Sequence, residues 1–210
     1  FERGAMGGEA PDPAIAAASL RGLAARAALI RDSRRFGLGN GSGGNKVPVD
    51  WLALRTHLAA ADADAAPDST AARFEAMGIE LVRGTARFAG PDRVGAAGRE
   101  WRFRRAVIAT GAIPVIPALE GLEVLPYLTE ETLPEMEDRP DHLLILGGSP
   151  FGLEMAQAFA RLGARTTLIS PGPFAPGFDR DMAEGVVRAL RRDGVEVVEG
   201  AEAARAERAG

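Results

Sequence analysis

The chain has 210 residues, 46% hydrophobic and 26% charged, with a net charge of −4, a globular composition that gives no case for a nucleic-acid or membrane-surface partner. It contains no cysteine, which excludes disulfides, thiolate catalysis and cysteine metal sites within these residues. No apolar run is long enough to span a bilayer and no charged leader precedes an apolar core, so a cytoplasmic location is expected. The abundance of arginine beside a single lysine, Lys46, reads as composition bias, and a start at Phe1 reads as a piece of a longer protein.

A helix is expected from Asp12, with that residue as N-cap and Pro13 in its first turn. Ala16, Leu20, Leu23, Ala27 and Ile30 fall on one face, as core packing requires. Residues 37–45 form a glycine-rich connector without a phosphate-binding lysine-serine pair. Asp50 caps a short helix carrying Trp51, Leu54 and Leu58, and residues 59–68 interrupt it; the acids Asp62 and Asp64 lack EF-hand spacing and are expected in solvent. Another helix, Asp68 to Met77, stops at Gly78. Short strands follow at 79–82, 85–89, 93–96 and 101–104, the last three a meander, and then a fully apolar strand at 106–109 ends at Thr110-Gly111. Pro114 and Pro117 prevent its continuation, and residues 112–140 read as a linker between two domains. Neither His57, mid-helix, nor His142, just before a strand, has a pattern that points beyond a solvated or hydrogen-bonded surface role.

The most informative stretch lies in the second domain. Gly147-Gly148-Ser149-Pro150-Phe151-Gly152 follows the apolar run Leu143 to Leu146 and opens a helical segment, Leu153 to Leu162. A second apolar strand, Arg165 to Ile169, comes after Gly163. Strand, glycine turn and helix place backbone N–H groups and a helix N-terminus against a dinucleotide pyrophosphate. Ser149 stands at the middle glycine of the G-x-G-x-x-G pattern, where its Cβ should crowd the ligand while its hydroxyl could donate a hydrogen bond. Asp179 to Arg192, with Met182, Val186 and Leu190 at helical spacing, and a third strand, Val195 to Val198, complete one mononucleotide-binding half.

Five collinear segments carry a family resemblance: residues 2–9 (Glu2 to Glu9), 84–88, 107–111, 126–129 and 146–157. In this order they resemble the middle of the class I pyridine nucleotide–disulfide oxidoreductases, in the mercuric reductase and dihydrolipoamide dehydrogenase-like group. The resemblance implies an α/β chain with two Rossmann-like nucleotide-binding domains: a partial FAD domain with a β-meander (1–111), a linker (112–140) and a partial NAD(P) domain with a parallel sheet (141–210). It implies FAD and NAD(P) as cofactors, a small-molecule electron acceptor and a homodimeric full-length parent. Glu2 would hydrogen-bond the FAD ribose, Gly7 and Gly8 would approach its pyrophosphate, Ala86 would meet adenine by its main chain, and Thr110 and Gly111 would run beside the flavin nucleotide. Gly147, Gly148, Ser149, Phe151 and Gly152 would cradle the NAD(P) pyrophosphate, with Ser170 at the slot where many members hold a ribose-binding acid. Glu154 would match a glutamate that reaches toward flavin and pairs with a lysine.

The departures shape the functional expectation. The two redox-cysteine slots fall on Ala10 and Ile15 and the lysine slot on Ser19, which leaves Glu154 as a helix-surface acid. The parent is therefore expected to pass hydride from NAD(P)H to FAD and on to a non-thiol acceptor. The alternatives are a redox-silent NAD(P)-binding module and an inactive truncated product; for these residues alone no catalytic residue is assigned.

Overall fold

The computed structural model describes residues 13–33, 48–65 and 71–208. Asp12, the 37–45 connector and the expected FAD-site residues Glu2, Gly7 and Gly8 lie outside them, as does Ala10. The chain is α/β, with one parallel and one antiparallel three-stranded sheet.

Helix α1 (Pro13–Asp32) and helix α2 (Trp51–Ala65) come first, then the short α3 (Ala71–Ala76). The buried face of α1 is Ala16, Ala17, Leu20, Ala24 and Ala27, while Ile30 at the end of the expected stripe is 61% exposed. Asp50 caps α2 as its sequence suggests, Oδ1 accepting from the Ala53 N–H at 3.0 Å. The expected interruption at residue 59 is absent, and α2 continues to Ala65. Alanine, the strongest helix former, outweighs the acids interspersed there; Asp64 is exposed.

The meander follows as β1 (Arg87–Gly90), β2 (Arg93–Ala96) and β3 (Arg99–Arg102), antiparallel in the order β1-β2-β3. Its register sets Phe88, Val94 and Trp101 in one row across the sheet, and Phe103 meets Phe88 edge-on at 5.9 Å. Two expected strands do not form. Residues 79–82 hold no strand, and residues 106–109 are unpaired, with Val107 91% exposed. A strand exists only where a neighbour accepts its hydrogen bonds, and among the described residues nothing pairs with this segment. Residues 112–140 run irregularly with two 3₁₀ turns, Leu122–Val124 and Leu133–Glu135. Near the first turn the chain is held by a second crossing strand of backbone: Ala206 N–H donates to Glu120 O at 2.8 Å, Glu120 bridges Arg205, and Gly121 at φ 82° has no space for a side chain against Ala206.

The parallel sheet contains β4 (His142–Leu146), β5 (Arg165–Ser170) and β6 (Glu196–Glu199), with β5 central. Helix α4 (Pro150–Arg161) and helix α5 (Arg180–Arg192) make the two crossovers. Leu168 at the middle of the sheet is fully buried, and Leu153, Ala156, Phe174, Val187, Leu190 and Val195 pack around it. Val187 and Leu190 supply the inward face of α5, whereas Met182 and Val186, expected beside Leu190, are 71% and 46% exposed. At the opposite end from the glycine turn, His142 Nε2 donates to Thr167 Oγ1 (2.9 Å), whose hydroxyl donates to Glu196 (2.9 Å).

Two interactions join the early helices to the parallel sheet. Ala17, Leu20, Ala24 and Ala27 of α1 and Leu54 of α2 share a core with Met155, Ala158, Phe159 and Leu162 of α4. The alanines let the helix axes approach closely, and Trp51 stacks at a tilt on Phe159, 6.1 Å between ring centroids. Asp193, at the end of α5 and 9% exposed in its side chain, gathers three side chains from two other helices. It accepts from Arg31 of α1 at 2.9 Å, and from Gln157 and Arg161 of α4 at 2.8 and 2.9 Å. Hydrogen bonds to Asp32 and Asp193 hold the Arg31 guanidinium above its usual range, so it stays charged at any working pH. Among the described residues no helix is long and apolar enough to cross a membrane.

Replacing Asp193 by alanine leaves two arginines facing each other without their shared anion. Asp193→Ala should lower the unfolding free energy by about 2–4 kcal/mol in urea denaturation. A midpoint unchanged from the parent chain would show that the junction contributes nothing.

Candidate functional site

The chain turns sharply at the C-terminal end of β4, the edge of a parallel sheet where ligands settle in α/β folds. Gly147 sits at φ 110°, a conformation that excludes most side chains, and its N–H donates to Ile169 O of β5 at 2.8 Å. Gly148 is required for a different reason. A Cβ there would lie 2.9 Å from Ser170 Oγ, 3.2 Å from Phe174 Cα and 3.3 Å from Pro173 O, two of them backbone atoms. The loop after β5 thus presses directly on the turn, and the Ala175 N–H donates to Gly148 O at 2.7 Å. Sequence reasoning did not pick out this loop, although the run Pro171-Gly172-Pro173 signals a rigid bend.

Ser149 is the N-cap of α4, its Oγ accepting from Gly152 N–H at 3.2 Å, and Pro150 occupies the first helical position without an N–H to satisfy. The hydroxyl oxygen is occupied as an acceptor, so its proton remains to be donated outward. Among the described residues no carbonyl accepts from the N–H groups of Ser149 or Phe151. With the helix dipole behind them, these donors form a natural anion seat. Gly152 is buried where α4 crosses β4, with Ile145 Cγ2 3.4 Å from the place of a Cβ, so helix and strand approach closely there. Phe151 turns its ring toward the α1–α4 core.

Ser170 is 4% exposed beneath Gly148, so the slot at the end of β5 presents no side chain to solvent. Glu154 is on the surface of α4, as expected, but it has a partner. Half exposed, it forms an ion pair with Arg21 of α1, 133 residues away. The cation comes from a position two beyond the Ser19 slot, and only the packing of α1 on α4 reveals it. The structure does not extend the cluster to the expected FAD residues: Ala86, Thr110 and Gly111 are exposed on segments outside any regular element.

The family model described as pyridine nucleotide-disulphide oxidoreductase matches residues 16–210. A mercuric reductase of Shigella flexneri is 31% identical over 95% of the chain and 36% of its own length. One of Serratia marcescens is 29% identical over 95% of the chain and 44% of its own length. Among solved structures, the HOCl-induced flavoprotein disulfide reductase RclA of Escherichia coli, as its Cu(II) complex, shares the fold with a TM-score of 0.68 at 23% identity. That match covers 91% of the chain and 40% of RclA. The chain thus spans less than half the length of these relatives.

The close approach at Gly148 can be tested against a nearby glycine with open space around it, Gly172. Gly148→Ala should cost about 1–3 kcal/mol of stability, because the 170–175 loop must move, and Gly172→Ala should be close to neutral. Thermal denaturation of both variants measures the difference, and equal effects would refute the packing argument.

Proposed function

The chain belongs to the pyridine nucleotide-disulphide oxidoreductase family, and from that premise we propose that its glycine turn binds the pyrophosphate of NAD(P)H within a flavin-dependent oxidoreductase. The observation that carries this reading is the Ser149-capped N-terminus of α4, with unpaired N–H groups at the C-terminal edge of a parallel sheet. When bound, NAD(P)H and FAD would supply hydride and electron-transfer chemistry, which belongs to the cofactors. The chain's own residues hold and orient. Phe151 and Ser149 N–H groups face the pyrophosphate, Gly147 and Gly148 keep side chains out of the turn, and the Ser149 hydroxyl donates its free proton to a phosphate oxygen.

The acceptor we propose is not a protein thiol, because the chain has no cysteine and the redox slots hold Ala10 and Ile15. FAD is proposed for the whole protein from the family; the exposed Ala86, Thr110 and Gly111 do not enclose a flavin by themselves. That exposure also favours a second reading, an NAD(P)-binding module without redox chemistry. A division into FAD (1–111) and NAD(P) (141–210) segments, a cytoplasmic location, a small-molecule electron acceptor and a homodimeric full-length parent complete the proposal.

The test is spectroscopic. A full-length parent should show a flavin absorbance band that NADH or NADPH bleaches. A colourless protein that still changes NADH fluorescence supports the binding module, and neither signal would reject both readings. Within the chain, Ser149→Ala removes a cap and a donor together. It should lower helix stability by about 1 kcal/mol and weaken NADH binding about fivefold, as followed by fluorescence titration.

A further inference from the structure

We infer that the glycine turn holds its nucleotide without reading the 2′ position of the adenosine ribose, because Glu184 and Glu199 occupy Arg180, the first cation after β5. This inference rests on the nucleotide reading above and states which nucleotides the site takes. In a unit of this kind the 2′ substituent lies near the end of the second strand, where a carboxylate binds a hydroxyl or an arginine binds a phosphate. Here neither group is free to do so. The Ser170 side chain is buried under Gly148. Its carbonyl accepts from the Gly200 and Ala201 N–H groups at 2.8 and 3.2 Å, which pins the strand end in that orientation. From Pro171 to Phe178 no side chain is polar. Asp179 caps α5, its Oδ1 accepting from the Asp181 and Met182 N–H groups.

Arg180 follows at the start of α5. Its Nε donates to Glu184 Oε1 at 3.0 Å, and Glu199 at the end of β6 lies 3.9 Å from the same guanidinium. Arg188 shares Glu184 at 3.9 Å. Arg191 stands roughly 16 Å farther along the axis of α5, beyond the screening length at physiological salt. Two carboxylates beside one guanidinium cancel its field at the sheet edge. A 2′-phosphate therefore meets no uncompensated cation, and a 2′-hydroxyl meets no carboxylate that an arginine does not already hold. The three side chains stand partly in solvent, where such pairs contribute little to stability. Glu184 and Glu199 are positioning residues that act on selectivity through Arg180.

The experiment titrates the 210-residue chain with NADH and NADPH by fluorescence at physiological salt, with urea midpoints recorded alongside. The two dissociation constants should agree within about threefold, whereas one charge-assisted hydrogen bond to a 2′ group would separate them by about tenfold or more. Glu184→Gln combined with Glu199→Gln should release Arg180 and favour NADPH by about five- to tenfold, leaving NADH affinity and the urea midpoint near parental values. Adding Arg180→Ala to that pair should return the ratio to about one. A parent chain that separates the two nucleotides by tenfold or more overturns the inference while nucleotide binding stands. So does a double variant that keeps the parental ratio, or one in which both affinities move together, since that marks the glutamates as structural. If the parent chain binds neither NADH nor NADPH, the nucleotide reading falls and this inference with it.

Discussion

A Cβ added at Gly148 would crowd three neighbours at once. The end of β4, the start of α4 and the loop after β5 meet there at contact distance, and backbone atoms of Pro173 and Phe174 form two of the three walls. Everything the site offers depends on that clearance. It lets the loop settle on the turn, which fixes where α4 begins, and the starting point of α4 decides where its uncompensated N–H groups are aimed. The serine that follows satisfies one donor of the helix and keeps its own proton free. A residue that departs from the expected glycine is thereby absorbed into the helix cap.

The second constraint is how α1 lies along α4. Alanine on the facing surface brings the two helices near enough for a shared core, and charged contacts close the seam near both ends. Asp193 is the more consequential of these contacts, being largely withdrawn from water and bound by side chains from two other helices. Removing a buried ion's partner is far costlier than removing an exposed one. The junction therefore fixes the alignment of three helix ends that the sequence places far apart.

The βαβαβ unit was legible almost to the residue, from His142 to Glu199, because each of its signals is local: an apolar run, a glycine turn, a capped helix with an apolar face. Family and fold could be read in the same way from five short segments in order. What sequence alone missed was relational. Residues 106–109 have the composition of a strand but, among the described residues, no neighbour to pair with, α2 outran its acids on alanine propensity, and Met182 had helical spacing but stayed exposed. The cation for Glu154 was invisible at its expected slot, since nothing in the order of residues says that position 21 will lie beside position 154.

The crossing at Gly121 has a mechanical consequence. Because Ala206 and Arg205 grip the chain beside Glu120, the stretch joining the meander to the parallel sheet is anchored partway along its length instead of hanging free between its ends. Upstream of that anchor lie the exposed apolar residues Val107, Ile108, Ile113, Val115 and Ile116. Downstream of it the connection runs on through the Leu133–Glu135 turn into β4, so its closure is shared between a bare half and a pinned one.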